Sequence, residues 1–464
     1  MTNPYLVLLL VYAVALTGLG LWIGRLVKGS SDFFVAGRSL SAPLLFSTVL
    51  AANIGAGSTV GAAGLAYTEG ISAWWWNGSA AIGSIVLALW VGPAIWRLAA
   101  QHGFYTVGDF LEFRYGRSVR GVVSALIWVG TLAILAGQLI AGAAVLEVVG
   151  DIPRAWGTAI GAVAMLVYFV AGGLLSSAWV NAVQLVVLLA GLLVAVPMVV
   201  TRAGGLGALM SAGPAHFSDF LYTSGPGSGI TLLAMLGPAF IISPGLLQKV
   251  YGARDPEAVR TGVGAQAVAL ALFAFVPVLL GMAARVLHPD VGSPNLVLPT
   301  VLVESLPLWL GALALAAVFS AEVSTCDAIL FMLATSLSQD LYRRFVHPEA
   351  TDRQVLQVAR GAAVAGSAIG VAFAVQLPTV IGALSIFYTL LGVSLFVPVI
   401  AGLYVKRAGA PEALAAIAGG VSFVLAMQMS GKAGTAVWTN PNVGGLTVAA
   451  GALLLMLVVR RPPR

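Results

Sequence analysis

Charged residues are scarce in this chain. Asp, Glu, Lys and Arg together make up 9% of its 464 residues, whereas apolar residues make up 59%. Ordinary soluble domains are about 25% charged and about half apolar. With a mean hydropathy of +0.99, the chain has too few polar groups to cover a surface that faces water. The composition argues against a soluble enzyme, a nucleic-acid-binding protein and a disordered scaffold, and it predicts an integral membrane protein.

Cysteine and histidine are also rare. The single cysteine, Cys326, excludes an intrachain disulfide framework and a thiolate metal cluster. The four histidines fall in separate predicted loops, and no two of them have the spacing of metal ligands. We therefore predict neither catalytic residues nor an enzyme. The net charge of +6 is spread through short loops, so it does not indicate binding to nucleic acid.

Long apolar runs fill most of the chain. A bilayer core about 30 Å thick needs about 20 apolar residues for each spanning helix. Runs of this kind predict an all-α polytopic membrane protein with about thirteen transmembrane helices. The predicted spans are residues 5–27, 43–68, 73–98, 121–146, 156–175, 177–201, 229–250, 262–286, 306–339, 355–376, 379–404, 412–429 and 443–459.

The distribution of Lys and Arg predicts the orientation. If the N-terminus lies outside, nineteen of the 23 basic residues, Lys249 among them, fall on or beside the cytoplasmic ends of the spans. Cytoplasmic loops of membrane proteins carry such an excess of basic residues. An odd number of spans then places the C-terminus in the cytoplasm. We predict a multi-pass protein of the cytoplasmic membrane in this orientation.

Two predicted spans cannot be regular helices. In the second span, residues 51–61 contain three closely spaced glycines beside Asn53 and two hydroxyl residues, a composition that weakens a helix. The seventh span contains Gly237-Pro238 and Ser243-Pro244-Gly245, where each proline removes a backbone donor and bends the helix. Such breaks occur at membrane depth only where the backbone is buried or lines a cavity. The alternative is that these glycines and prolines serve only close packing.

The two broken spans lie five spans apart, which is the spacing that a five-plus-five inverted repeat requires. A matched pair of interrupted spans is the best sequence indication of a secondary transporter's binding site. The chain then divides into an extra N-terminal helix, a first repeat, an external loop, a second repeat and two C-terminal helices. The corresponding residues are 1–40, 41–202, 203–228, 229–404 and 405–464.

Two adjacent hydroxyl residues lie within the ninth span. At helical spacing, Ala321, Ser324 and Thr325 share one face. Two hydroxyl oxygens together with carbonyls freed from unwound backbone suit a small hard cation such as sodium. The alternative is that Ser324 and Thr325 bond only to carbonyls of their own helix.

Two acids, Glu322 and Asp327, lie within the same span. An ionisable residue at membrane depth is costly and therefore suggests a function. Either acid is a candidate for a sodium ligand, a proton-carrying carboxyl group or a gating partner. For Glu322, the alternative is a protonated or hydrogen-bonded packing residue.

Four segments, in this order along the chain, resemble the sodium:solute symporter family, which includes sodium-coupled galactose, proline and sialic acid symporters. They are residues 32–40 (DFFVAGRSL), 106–115 (TVGDFLEFRY), 248–253 (QKVYGA) and 340–342 (DLY). The resemblance implies a leucine-transporter-like fold with an extra N-terminal helix. It also implies a sodium site built from Ala51 and Ile54 of the first broken helix and from Ala321, Ser324 and Thr325 of the long helix.

This chain departs from the family pattern in two places. Many members have an aspartate where this chain has Asn181, which puts the family's second sodium site in doubt. Asp327 stands where some members offer a serine to that site, so the acid is hypothesised to have moved between helices. The first break also lacks the long polar side chains that sugar-transporting members present there.

The residues around the two breaks are candidates for binding a solute. These are Asn53, Ser58, Trp75, Asn77, Gln138, Phe240 and Ser243. For Trp75, the alternative is an aromatic belt at the membrane surface. Helix N-termini exposed at a break favour an anionic group, and this indicates a carboxylate or an amino-acid-like solute.

The sequence thus predicts a secondary active transporter that couples entry of a small organic solute to sodium by alternating access. Sodium is the expected coupling ion, and the solute, sodium and the lipid bilayer are the expected partners. The main alternative is a proton-coupled symporter that uses Asp327 or Glu322. A further alternative is a solute sensor, for which no output domain is expected.

Overall fold

The computed structural model describes residues 3–24, 35–171, 174–222, 225, 228–434 and 436–460. Residues 32–34 of the first family-like segment and four counted basic residues, Arg25, Lys28, Arg461 and Arg464, lie outside these ranges. In the described ranges the chain forms the helices α1 Pro4–Gly24, α2 Ala42–Asn53, α3 Ala62–Glu69, α4 Trp74–Val86, α5 Gly92–His102, α6 Val107–Tyr115, α7 Arg117–Gly150, α8 Arg154–Ala171, α9 Leu174–Arg202, α10 Gly205–Met210, α11 Gly229–Ile242, α12 Pro244–Tyr251, α13 Pro256–Phe273, α14 Phe275–Leu287, α15 Val297–Glu304, α16 Leu308–Thr335, α17 Asp352–Gln376, α18 Val380–Leu391, α19 Val397–Tyr404, α20 Ala410–Met429 and α21 Pro441–Val459.

The fold is all-helical over the described residues, as predicted. Ten continuous helical stretches are long and apolar enough to cross a membrane. Two shorter apolar helical stretches, Pro4–Leu16 within α1 and Ala42–Asn53, fall below that length. The total of thirteen spans and the role of α1 as an additional spanning helix therefore stay predictions.

The first predicted break is present. Helix α2 ends at Asn53, where Ile54 leaves the helical conformation with φ −95° and ψ 86°. The chain re-enters a wide helical turn at Gly57–Gly61 and then continues as α3. The carbonyl of Ala56 accepts a hydrogen bond from the N–H of Gly61 at 2.7 Å, which begins this turn. The local glycines thus interrupt the helix where the sequence predicted an interruption.

The second break lies at Ser243 alone. Helix α11 continues through Pro238, so Gly237-Pro238 does not interrupt the span. The helical conformation is disfavoured for a residue that precedes a proline, and Ser243 accordingly adopts φ −52° and ψ 123° before Pro244 opens α12.

Helix α16 lies at the centre of the bundle. The continuous helical stretch Leu308–Val346 contains α16. In the 18-residue window of this stretch that could span a membrane, 89% is buried inside the protein. It packs against α9, α7, α17 and α2. The two broken regions are also joined at one end, because the N–H of Leu40 donates to the carbonyl of Gly252 at 2.9 Å and the N–H of Arg254 donates to Leu40 at 3.0 Å. The hydroxyls of Ser324 and Thr325 bond to carbonyls at the end of α2, so the break lies directly beside α16.

Candidate cation site and solute cavity

The break after α2 approaches α16 with no room for a side chain. A Cβ atom on Gly55 would lie 2.3 Å from Oγ1 of Thr325. Real Cβ atoms do not come this close to another atom, so glycine is required for the contact.

Both hydroxyls predicted to bind a cation face the end of α2. The hydroxyl of Ser324 donates to the carbonyl of Ala51 at 2.8 Å and lies 3.0 Å from the carbonyl of Ala321. The hydroxyl of Thr325 lies 3.4 Å from the carbonyl of Ala51 and 3.2 Å from that of Ala52. Two carbonyls from α2, one from α16 and two hydroxyls thus converge at one point.

This set of five oxygen ligands fits sodium. All five are uncharged oxygens, which suits a hard monovalent cation, and two of them come from backbone at the end of a half-helix. Each hydroxyl can turn its proton away and offer a lone pair to an ion instead of donating to a carbonyl. Of the predicted ligands, Ala51, Ala321, Ser324 and Thr325 lie together. Ile54 lies fully buried at the first residue of the break, and the nearby carbonyl that Thr325 contacts is that of Ala52.

A cavity of about 50 Å³ lies beside this point. Five of the seven predicted solute-binding residues line it: Asn53, Ser58, Gln138, Phe240 and Ser243. Thr325 lines it as well, so one residue belongs both to the cation site and to the cavity wall. The two sites therefore adjoin at Thr325.

Trp75 and Asn77 do not line this cavity. The indole N–H of Trp75 donates to the carbonyl of Phe220 at 2.8 Å, and the two rings pack 5.6 Å apart beside the segment that precedes α11. Asn77 lies behind the wall and donates to the carbonyl of Ser58 at 3.1 Å. The helical rotation of α4 turns Trp75 away from the break, and Asn77 supports the backbone of the break.

Two of the polar cavity residues also stabilise the break. Oε1 of Gln138 accepts a hydrogen bond from the N–H of Ala56 at 2.9 Å. The hydroxyl of Ser58 donates to the carbonyl of Asn53 at 2.6 Å. The side-chain nitrogen of Asn53 is buried and has no hydrogen-bond partner among the described residues. It is therefore a donor available to a solute.

The aromatic wall of the cavity was missed at the sequence level. Phe387 and Tyr388 of α18 line it, and the ring of Tyr388 lies 5.5 Å from that of Phe240. Leu384 of the same helix and Met332 of α16 complete this side. Because α18 reads as an ordinary apolar span, no local signal distinguishes these residues from membrane-facing ones.

The two acids of α16 have different surroundings. Glu322 is fully buried beside Gly142 of α7, and neither carboxylate oxygen has a hydrogen-bond partner among the described residues. Asp327 lies on another face, near enough to Lys249 for electrostatic attraction. Asn181, from α9, donates to Oγ1 of Thr48 at 3.3 Å. Lys249 was counted among residues at cytoplasmic ends, but its side chain is buried in the bundle.

A network of charges closes one end of the bundle. The guanidinium of Arg120 lies 2.8 Å from Asp109, 2.9 Å from Glu112 and 2.7 Å from Asp340. The hydroxyl of Thr106 also donates to Asp340, at 2.6 Å. Four of these residues, Thr106, Asp109, Glu112 and Asp340, fall within the family-like segments 106–115 and 340–342, but only the structure shows that they meet.

Glu112 also pairs with Arg344. Burial opposes ionisation of Glu112, but hydrogen bonds and charge attraction from Arg344 and Arg120 outweigh that effect and lower its pKa.

A second small cavity separates this network from the solute cavity. It is lined by Gln248, Thr335, Ser336 and Asp340, and it shares Met332 with the solute cavity.

Known proteins resemble the chain over most of its length. The model of the sodium:solute symporter family matches residues 33–420. The sodium/glucose cotransporter of Vibrio parahaemolyticus is 26% identical over 396 residues, which cover 76% of this chain and 71% of that protein. The sodium/pantothenate symporter of Escherichia coli K12 is 27% identical over 456 residues, which cover 90% of this chain and 89% of that protein.

A solved structure is similar across the whole chain. It is that of a Na+-coupled sialic acid symporter in a substrate-bound, outward-open state. It superposes with a TM-score of 0.85 at 18% identity, covering 99% of this chain and 98% of that chain. The likeness shows that the two chains share a fold.

Proposed function

Because the chain belongs to the sodium:solute symporter family, we propose that it carries a small organic solute across the membrane together with sodium by alternating access. It is a membrane transporter and not an enzyme. The observation that carries this proposal is the position of Thr325, whose hydroxyl faces the predicted sodium ligands and which also lines the solute cavity. An ion and a solute that both contact this residue would each change the affinity of the other.

Sodium would hold the break against α16. With the ion bound, the carbonyl of Ala51 and the hydroxyls of Ser324 and Thr325 would be drawn to a common centre. The opposite wall of the break, at Asn53 and Ser58, faces the solute cavity. Fixing the break therefore also fixes the solute-binding groups, so that sodium binding favours the conformation that receives solute.

The small volume of the cavity supports alternating access. At about 50 Å³ it is far below the roughly 300–1,000 Å³ of ordinary ligand pockets, so a solute needs the walls to separate. Towards the charged network around Arg120, the solute cavity is bounded by Met332 and the second small cavity. Opening towards this end of the bundle requires the ion pairs of Arg120 to break. We assign this end to the cytoplasm, with the N-terminus outside and the C-terminus inside.

The cavity favours a carboxylate or an amino-acid-like solute. Its described lining includes no Asp, Glu, Lys, Arg or His. The first turn of α12 faces it through Gly245 and Leu246, and backbone N–H groups at a helix N-terminus attract anions. The free amide nitrogen of Asn53 offers one more donor. The aromatic wall would contact the apolar part of the solute.

Uptake into proteoliposomes tests the proposal. The full chain is assayed by counterflow against amino acids, carboxylates, sugars and vitamins, with sodium or with choline in its place. We expect at least one amino acid or carboxylate to accumulate only with sodium. Uptake that ignores sodium and follows a pH gradient would overturn sodium coupling and support proton coupling through Asp327 or Glu322.

A further inference from the structure

Lys249 is a buried cation in the transport core. Its side chain is 1% exposed, whereas the other two described lysines, Lys406 and Lys432, lie at the protein surface. It belongs to α12, the half-helix whose first turn faces the solute cavity. A charged group at this depth is costly and is retained only with specific partners.

The partners of Lys249 come from the helices that form the sodium site. Its ammonium donates to Oγ1 of Thr48 in α2 at 3.1 Å. The side chain of Asn181 donates to the same oxygen at 3.3 Å. The carboxylate of Asp327 in α16 attracts the ammonium electrostatically. Helix α12 packs against both α2 and α16, so the ammonium lies between them.

This cluster lies one helical turn from the predicted sodium ligands. Thr48 precedes Ala51 by three residues on α2, and Asp327 follows Ser324 by three residues on α16. Three residues of helix rise about 4.5 Å. Two cation positions therefore lie side by side between the same pair of helices: one lined by neutral oxygens, the other filled by a side chain.

The charge balance of the second position depends on Lys249. Asp327 is 3% exposed, and a buried carboxylate is strongly unfavourable without a compensating positive charge. Lys249 supplies that charge from within the chain. Without the ammonium, the carboxylate and the hydroxyl of Thr48 would offer oxygen ligands and an uncompensated negative charge, and a sodium ion could supply the missing positive charge.

We propose that Lys249 is a built-in cation that neutralises Asp327 and thereby limits this transporter to one bound sodium. The inference rests on the proposed sodium coupling. It assigns Lys249 a role in setting ion stoichiometry, distinct from ligating the ion or the solute. Because α12 also borders the solute cavity, the tethered ammonium moves with that half-helix, whereas a dissolved ion would be released at each cycle.

Equilibrium binding of ²²Na+ to the purified full chain tests the inference. We expect the unmodified chain to bind one sodium with a Hill coefficient of 1. Lys249→Gln should bind a second sodium, with the Hill coefficient rising towards 2, and Lys249→Gln/Asp327→Asn should return to one. Lys249→Arg, which keeps the charge, and Lys406→Gln, which changes an exposed lysine, are the matched controls and should each bind one.

A second comparison keeps the test decisive if Lys249→Gln does not fold. Asp327→Asn leaves the ammonium without its counter-charge, and repulsion across a partly buried distance should weaken sodium binding about tenfold or more. The double variant should recover the affinity to within about threefold. One sodium bound by Lys249→Gln, unchanged affinity in Asp327→Asn, or two sodium ions bound by the unmodified chain would overturn the inference. If the unmodified chain binds none, the proposed sodium coupling fails instead.

Discussion

Among the hydroxyl residues of α16, Ser320 and Ser324 differ in what they contact. The hydroxyl of Ser320 donates to the carbonyl of Ala316 in its own helix and also contacts Tyr12 of α1. That of Ser324, one turn later, reaches the carbonyl of Ala51 on another helix. Bonding within the helix, which is the usual behaviour of a lone serine, therefore describes Ser320 well. Ser324 has in addition a geometry that an ion can use.

Replacing Ser324 with alanine should raise the sodium concentration for half-maximal uptake about tenfold or more, because a bond to a charged group contributes about 1.5–3 kcal/mol. The additional change Thr325→Ala should raise it further. Ser320→Ala, a buried serine on the same helix, is the matched control and should shift the value less than about twofold. An unaltered sodium dependence in the double variant would remove both hydroxyls from the site.

At the scale of the helix, the break after α2 functions through its closeness to α16. A half-helix end binds an ion only if its carbonyls reach the neighbouring helix, and here Gly55 makes that approach possible. The side chains of Gln138 and Asn77 bond to the backbone of the broken region from two sides. The break is thus a supported structure with a defined shape.

Gly55→Ala should abolish sodium-dependent uptake or raise the sodium requirement by at least tenfold. The added Cβ would lie 2.3 Å from Oγ1 and 2.6 Å from Cβ of Thr325, so the break must move away from α16. Gly361→Ala is the matched control: its Cβ would meet nothing within 4 Å on the exposed face of α17, and alanine favours a helix. Uptake is measured per molecule of monodisperse protein incorporated. Normal sodium dependence in Gly55→Ala would refute the close contact.

At the scale of the molecule, the solute cavity, the second small cavity and the charged network follow one another towards one end of the bundle. Arg120 links α7 to α6 and to the segment Ser336–Val346 after α16 through three carboxylates. Removing one partner of a buried ion pair costs about 3–5 kcal/mol, because the remaining charge is left uncompensated. Loss of Arg120 should therefore favour conformations in which water reaches Asp340, which are conformations open at this end.

The opening can be measured with Ser336→Cys, which places a thiol in the cavity between the network and the solute cavity. The native Cys326 is fully buried, so its own labelling should be slow. Adding Arg120→Met should speed maleimide labelling of the new thiol about tenfold or more, since about 1.4 kcal/mol corresponds to a factor of ten. Arg117→Met, whose side chain is 66% exposed, should change the rate less than about twofold. Equal rates in the two variants would exclude the network as a gate.

Features with a local cause were predictable from the sequence alone. Membrane embedding follows from composition, and the two breaks follow from Gly, Pro and polar residues inside apolar runs. The pairing of Ala51 with Ser324 and Thr325 came from the family resemblance, and the structure places these residues together. Lys249, by contrast, is predicted as one more basic residue at a cytoplasmic end. A lysine two residues before a tyrosine and five residues after a proline has the same local pattern whether it is exposed or buried.

Which distant residues meet was decided only by the tertiary structure. Lys249 and Thr48 are 201 positions apart, and Arg120 and Asp340 are 220 apart; no sequence period encodes such contacts. The aromatic wall of α18 and the turning of Trp75 away from the cavity depend on helix rotation within the bundle. In a membrane, both faces of a span are apolar, so the periodicity that identifies the buried face of a soluble helix is weak, and packing alone determines which side chains face the solute.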